Sequence, residues 1–299
     1  MRWYGWACFW ALIVLSVTVF GYACWHATDR ATLGPRLLAA AESGHCGQAR
    51  ALLERGADVS YTARQGSVGN GNPLTVAAYA HHPDMIRLLV ASGADPDTGG
   101  AEGSRLVGEE GGPPLYVASW RDAAPGGGET VRALLECGAD PCYRPDPACP
   151  SPLEEAAMHA AREQVRALLD AGAAADAPSP DGWTPLMLAC LWGGVHVEHT
   201  DPGRVADVVR MFLEAGADSN AAGPREMTAL HCAADSDSLS AVRELLAWAA
   251  DPNLRDCHGA TPLNIANRNR YYHVALLLRE HGAKTGEELD REKAARGEA

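Results

Sequence analysis

The chain has 299 residues, 25 Lys+Arg against 38 Asp+Glu, a formal net charge of −13 at pH 7, and 47% hydrophobic residues. An acidic balance of this size argues against nucleic acid, whose phosphates it would repel, and favours a neutral or basic protein partner. Length by itself excludes little, because a chain that grows by repetition needs no single large core.

From the amino end, residues 3–25 carry no charge and as a helix would span about 35 Å, against a hydrocarbon core of roughly 30 Å. Trp3, Tyr4 and Trp6 at one end, with Tyr22 and Trp25 at the other, have the placement of interfacial aromatic belts. Residues 1–32 are therefore expected to be a membrane anchor, or a signal segment, followed by a linker. In the cleaved reading Arg2 is the charged region, 9–20 the apolar region and Gly21-Tyr22-Ala23 the cleavage site. Both readings place the chain at a membrane, single-pass or exported. Arg2 faces Arg30 and Arg36 across the segment, which nearly balances the positive-inside rule. The short amino flank and signal-like composition favour export of the remainder of the chain, into the periplasm if the source is bacterial.

The rest of the chain repeats itself. A closing motif recurs as ERGADVS (54–60), ASGADPD (91–97), ECGADPC (136–142), DAGAAAD (170–176), EAGADSN (214–220), AWAADPN (247–253) and EHGAKT (280–285). An opening motif recurs in phase with it: NPLTVAA from Asn72, PPLYVAS from Pro113, SPLEEAA from Ser151, TPLMLAC from Thr184, TALHCAA from Thr228 and TPLNIAN from Thr261. In the unit at 182–220, Thr184 is placed to cap a helix whose first residue is Pro185, where the missing N–H costs nothing. Leu186, Ala189 and Cys190 give that helix an apolar face, 205–212 supply a second, and Gly216 comes next, where a left-handed residue is wanted. The pattern predicts helix, turn, helix and loop, seven times over residues 33–285, with a charged tail at 286–299 that frays or forms a short solvated helix.

Three insertions interrupt the array. Residues 97–112 are glycine-rich and aperiodic, reading as a long finger loop. Residues 122–128 (DAAPGGG) fall at a turn between helices and lack the Lys and Ser/Thr of a phosphate-binding loop, so they read as a flexible connection. Residues 193–204 bring His196, Glu198, His199 and Asp201 together, which admits a metal reading beside that of a solvated polar loop. Cys142 and Cys149 share a Pro-rich loop and admit a disulfide in an oxidising compartment, whereas zinc would want a fourth ligand. No nucleophile–base motif, metalloprotease helix or dinucleotide fingerprint is present, so no enzyme, cofactor or small-molecule substrate is expected.

The two motifs together closely resemble the ankyrin repeat, whose unit opens on G-x-T-P-L-x-x-A and closes on L-L-x-x-G-A-D-x-N. The resemblance implies an all-α ankyrin-repeat solenoid of about seven helix-turn-helix units, here preceded by an N-terminal apolar, transmembrane helix. It also implies protein binding through the finger loops and through two exposed positions after the A-A pair of each first helix. Carried onto this sequence, those positions and the finger before T-P-L give Tyr79, Trp120, Arg121, Met158, His159, Trp183, Leu191 and Trp192 in the middle units, with polar residues at the ends. Aromatic and Arg anchors inside a polar rim are the make-up of an interface centre. Trp248, Tyr271 and Tyr272 are expected instead to pack between units. The expected function is a membrane-associated protein-binding module, in its most concrete form a stoichiometric inhibitor of the immunity-protein kind. The alternatives are an envelope scaffold without inhibitory role and a metal-dependent activity in the 196–201 loop.

Overall fold

The computed structural model describes residues 32–62, 71–99, 112–120, 126–144, 149–193 and 202–296, which form helices and turns with no strand among them. Residues 3–25, the centre of the 97–112 insertion and the 196–201 loop lie outside the described residues. No helix among the described residues is long and apolar enough to cross a membrane.

The helices come in pairs. They are α1 (32–42) with α2 (Cys46–Glu54), α3 (Pro73–Tyr79) with α4 (Pro83–Ala91), and α5 (Pro114–Trp120) with α6 (Gly127–Glu136). Next along the chain come α7 (Pro152–Met158) with α8 (Arg162–Asp170), α9 (Pro185–Trp192) with α10 (Pro202–Glu214), α11 (Ala229–Asp235) with α12 (Leu239–Ala247), and α13 (Pro262–Asn269) with α14 (Tyr272–Glu280). First helices pack on first helices from α3 through α13, and second helices on second helices from α2 through α14, giving two layers. The chain is a solenoid of seven units.

The first helices are short and start alike because their sequences cap alike. Asn72 Oδ1 accepts from the Thr75 N–H (2.8 Å), Ser151 and Glu154 form a reciprocal capping box, and Thr184 Oγ1 accepts from the Met187 N–H (3.3 Å). In each of these three helices proline occupies the first turn. Their buried faces are alanine-rich: Ala77, Ala78, Ala118, Ala156, Ala157, Ala189, Ala233 and Ala234 are wholly buried, which lets neighbouring helices approach closely. The second helices fill the remaining space with Met85, Ile86, Leu89, Leu134, Leu168, Phe212 and Leu245, none of them accessible. Each such side chain contributes about 1.5–3 kcal/mol by leaving water. Arg87–Glu136, Arg162–Asp207 and Arg210–Glu244 ion pairs link successive second helices on the exposed side; exposed pairs contribute about 0–1 kcal/mol each, so packing dominates.

Every second helix closes in the same way. The N–H of the alanine after the turn reaches back to a carbonyl five residues earlier, as in Ala217 to Phe212 O and Ala250 to Leu245 O, both 3.0 Å. The turn needs a left-handed residue, and six units supply glycine, with φ between +80° and +97°. The sixth supplies Ala249 at φ +61°, an L-residue where its Cβ is disfavoured.

Beyond the second helices a ladder of Asp and Asn side chains ties loop to loop. Asp176 Oδ1 accepts from the Asp218 N–H (3.1 Å), Asn220 Oδ1 from Asp251 (2.8 Å) and Asn253 Oδ1 from Lys284 (2.8 Å). Asp97 does the same for Asp140 at 2.9 Å. The ladder has a gap after the third unit, because Cys142 stands where the second, fourth, fifth and sixth units have Asp97, Asp176, Asn220 and Asn253, and it offers no carboxylate or amide oxygen to the next loop.

One expectation about the connections is corrected, and one point the sequence leaves open is answered. Gly127 and Gly128, read from sequence as part of a flexible turn, form the first turn of α6 and are buried. A Cβ on Gly128 would lie 2.4 Å from the Glu163 Cβ, and one on Gly127 2.5 Å from Gln164 Nε2, so their bareness is what lets α6 sit against α8. No disulfide joins Cys142 and Cys149.

The tail, for which the sequence allows fraying or a short solvated helix, forms α15 (Gly286–Arg296). Thr285 and Glu288 cap it reciprocally (2.7 and 3.3 Å), and its start is held by Gly286 N–H to Asn264 Oδ1 (2.8 Å). Arg255–Asp290 (2.7 Å) and Arg279–Glu288 (2.9 Å) pin it across the last units. Apart from Gly286 it is mostly polar and exposed.

Candidate partner-binding face

The last residues of successive first helices form a row. Tyr79 ends α3, Trp120 ends α5 and Met158 ends α7, while Leu191 and Trp192 end α9. Because these helices pack side by side in chain order, their ends line one edge of the inner layer. Tyr79 and Met158 are half-buried, Leu191 is half-buried against the core, and Trp192 is 40% exposed. The side chain of Trp120 and the whole of Arg121 lie outside the described residues. Trp183 sits in a finger closed by Ser179 N–H to Trp183 O (2.8 Å) and Trp183 N–H to Ser179 Oγ (3.0 Å), and packs against the core. Of the aromatic residues expected to pack between units, Tyr271 does so, but Trp248 is 45% and Tyr272 75% exposed. Their rings lie on the second-helix layer, where no further described helix covers them.

His159 is not a bare surface imidazole. Its Nε2 lies 3.2 Å from Glu155 Oε1, and the other Glu155 oxygen accepts from the Tyr116 hydroxyl at 3.0 Å. Glu155 is 3% exposed and Tyr116 7%. Burial, with Glu155 beside it, pushes the Tyr116 phenol far above its ordinary value, so the hydroxyl keeps its proton and remains a donor. The adjacent Glu154 is wholly buried, pairs with Arg144 and accepts from the Ser151 N–H (3.2 Å); burial raises its carboxyl above the usual range while Arg144 pulls it down. Arg144 also donates to Cys149 O (3.2 Å). The only sequence signal for this network is Glu-Glu at 154–155, where other units carry Thr-Val, Tyr-Val, Met-Leu, His-Cys and Asn-Ile.

The polar end of the face is closed on itself. Ser236 Oγ donates to Cys190 O (2.7 Å), and Asn269 Nδ2 donates to Asp235 Oδ1 (2.9 Å), with Arg268 at 3.9 Å from the same oxygen. Below it, buried His231 accepts from the Thr228 N–H at Nδ1 (3.1 Å) and lies 3.1 Å from Ala260 O at Nε2. Burial lowers its pKa, so the ring is neutral with its proton on Nε2. Among the described residues no group of three or more His, Cys, Asp or Glu side chains is gathered as metal ligands would be, and the 196–201 loop lies outside them.

A family model for ankyrin repeats, in three copies, matches residues 37–145, 122–222 and 200–288. The chain is 30% identical over 220 residues to the B-cell lymphoma 3 protein homolog of Mus musculus, covering 73% of this chain and 43% of that protein. It is 28% identical over 281 residues to the E3 ubiquitin-protein ligase KEG of Arabidopsis thaliana, covering 91% of this chain and 16% of that one. It thus spans less than half the length of either relative. Among solved structures it is similar to the ankyrin repeat domain of human ASB11, with a TM-score of 0.63, 24% identity and coverage of 81% and 96% of the two chains. The ankyrin repeat domain of Bcl-3 gives a TM-score of 0.60 at 25% identity, covering 81% and 97%.

Proposed function

The chain belongs to the ankyrin-repeat family, and on that premise we propose that it is a membrane-tethered module whose first-helix face holds one partner protein. Protein binding follows from the family itself. The finer reading is supported by the row Tyr79, Met158, Leu191 and Trp192, and above all by Trp192, which keeps 40% of its surface in water at the end of α9. An exposed indole flanked by half-buried apolar side chains and bordered by self-satisfied polar residues has the make-up of an interface centre. The net charge of −13 favours a neutral or basic partner. The uncharged run 3–25 is the proposed tether. A stoichiometric inhibitor that occludes its partner is the proposed mode of action, since an array of this kind acts by covering surface.

Two tryptophans give the test its control. Trp192→Ala is expected to weaken partner binding about 30-fold, the loss of roughly 2 kcal/mol typical of an interface anchor. Trp248→Ala, equally exposed but on the other layer, should leave affinity unchanged. Equal effects from both substitutions would move the binding site off the first-helix face. A reporter active only outside the cytoplasm, fused after Ala299, examines the export of the array separately.

A further inference from the structure

The amino-terminal end of the solenoid carries a groove of about 630 Å³ between α1 and α2. No residue of the second unit lines it, so it opens on the side where an earlier repeat would have stacked. Its floor is Ala40 and Leu52; its rim carries Arg36, Arg55, His45 and Gln48, and among the described residues no acidic side chain lines it. In a chain of net charge −13 an acid-free cationic groove runs against the overall field. The rim is also ordered. Ser43 Oγ gives its proton to Ala39 O (2.7 Å), so His45 Nδ1, 2.6 Å away, must be the donor to Ser43, which fixes the ring along the groove. Arg36 takes part in no ion pair among the described residues.

We infer that this groove binds the anionic phosphate headgroup of a membrane lipid. The inference rests on the reading of 3–25 as a membrane segment: only the six residues 26–31 separate that run from α1, a reach of at most about 22 Å. A cationic end face held that close to a bilayer meets lipid phosphates before it meets any other anion, and each arginine near an anionic surface strengthens attachment about fivefold. The headgroup fixes the orientation of the solenoid on the membrane. In that role the groove acts as a second, orienting attachment beside the tether.

The test uses the full chain reconstituted in vesicles of phosphatidylcholine alone and of phosphatidylcholine with phosphatidylglycerol, reading flotation and the hydrogen exchange of α1 and α2. Exchange in these helices should slow about fivefold or more with the anionic lipid only. Arg36→Gln with Arg55→Gln should abolish the slowing without changing flotation, while the charge-matched pair Arg243→Gln with Arg268→Gln should preserve it. Equal exchange in the two vesicles, or the same slowing from inorganic phosphate added to neutral vesicles, would overturn the proposal. A chain that does not float with neutral vesicles but binds anionic ones through Arg36 and Arg55 would support the groove and remove the tether.

Discussion

Units five to seven and units three to four are built on one plan but held together differently. From the end of the fourth unit onward, loops are tied by Asp176 to Asp218, Asn220 to Asp251 and Asn253 to Lys284, and a buried neutral His231 fastens one finger to the next. The loop ties are repeat-wide devices, each reproduced at the same position in its neighbour. In the middle units the ladder fails at Cys142, and its place is taken by side chains particular to one unit: Arg144 on Glu154, and Tyr116 and His159 on Glu155. The generic scaffold thus gives way between the third and fourth units, beside the helix that ends on Met158. A polar network inside the inner layer holds the end of α7 rigid while leaving its last residues uncovered.

The largest effect expected from breaking this contrast is local to the middle. Tyr116→Phe removes the hydroxyl that donates to Glu155 Oε2 and should cost about 1.5–3 kcal/mol, the worth of a buried hydrogen bond to an acidic group. Hydrogen exchange should show the loss in α5 and α7 and leave α11 to α14 protected. A uniform loss along the array would mean that the two regions do not differ in their fastening.

Acid should act at the other end. The folded state lowers the pKa of His231 below its ordinary 6.5, so the stability it confers is complete above that value and is lost as pH falls toward the folded pKa. Protonation puts a hydrogen on Nδ1 and removes the acceptor for the Thr228 N–H, a lost cap of about 1 kcal/mol. Urea unfolding of the array at pH 7 and pH 5 checks this, with His231→Asn, which keeps a short acceptor as Asn264 does in the next unit, expected to flatten the dependence.

Much of the fold was legible in the sequence because its constraints are local. Proline after a capping residue starts most of the first helices, glycine ends nearly every second one, and both recur at fixed spacing. The features that were not legible depend on the neighbouring unit. Glu154 and Glu155 occupy positions that face inward in the other units, and only the arrival of Arg144 and Tyr116 from the third unit makes them tolerable. Gly127 and Gly128 look like a loop until α8 is placed against them. Trp248 and Tyr272 look like packing residues, but no described helix covers their side of the second-helix layer. For the candidate face, the sequence names the positions and the structure supplies the network beneath His159.

Smaller changes should sharpen the contrast by making units more alike. Ala249→Gly gives the sixth unit the residue its left-handed turn requires and should gain roughly 0.5–1 kcal/mol, the relief of strain outweighing the added freedom of the unfolded chain. Cys142→Asn restores an acceptor for the fourth loop and should add about 0.5 kcal/mol, as an exposed hydrogen bond does. Thermal unfolding reads both; a loss from Ala249→Gly would show that the turn does not control the sixth unit.

The most direct measurement is hydrogen exchange of the full chain with and without its partner. Protection is expected at the ends of α3, α5, α7 and α9, around Tyr79, Met158 and Trp192, with α12 and α14 unchanged. Protection confined to α12 and α14, beside Trp248, Tyr272 and Leu276, would contradict the account and place the interface on the second-helix layer.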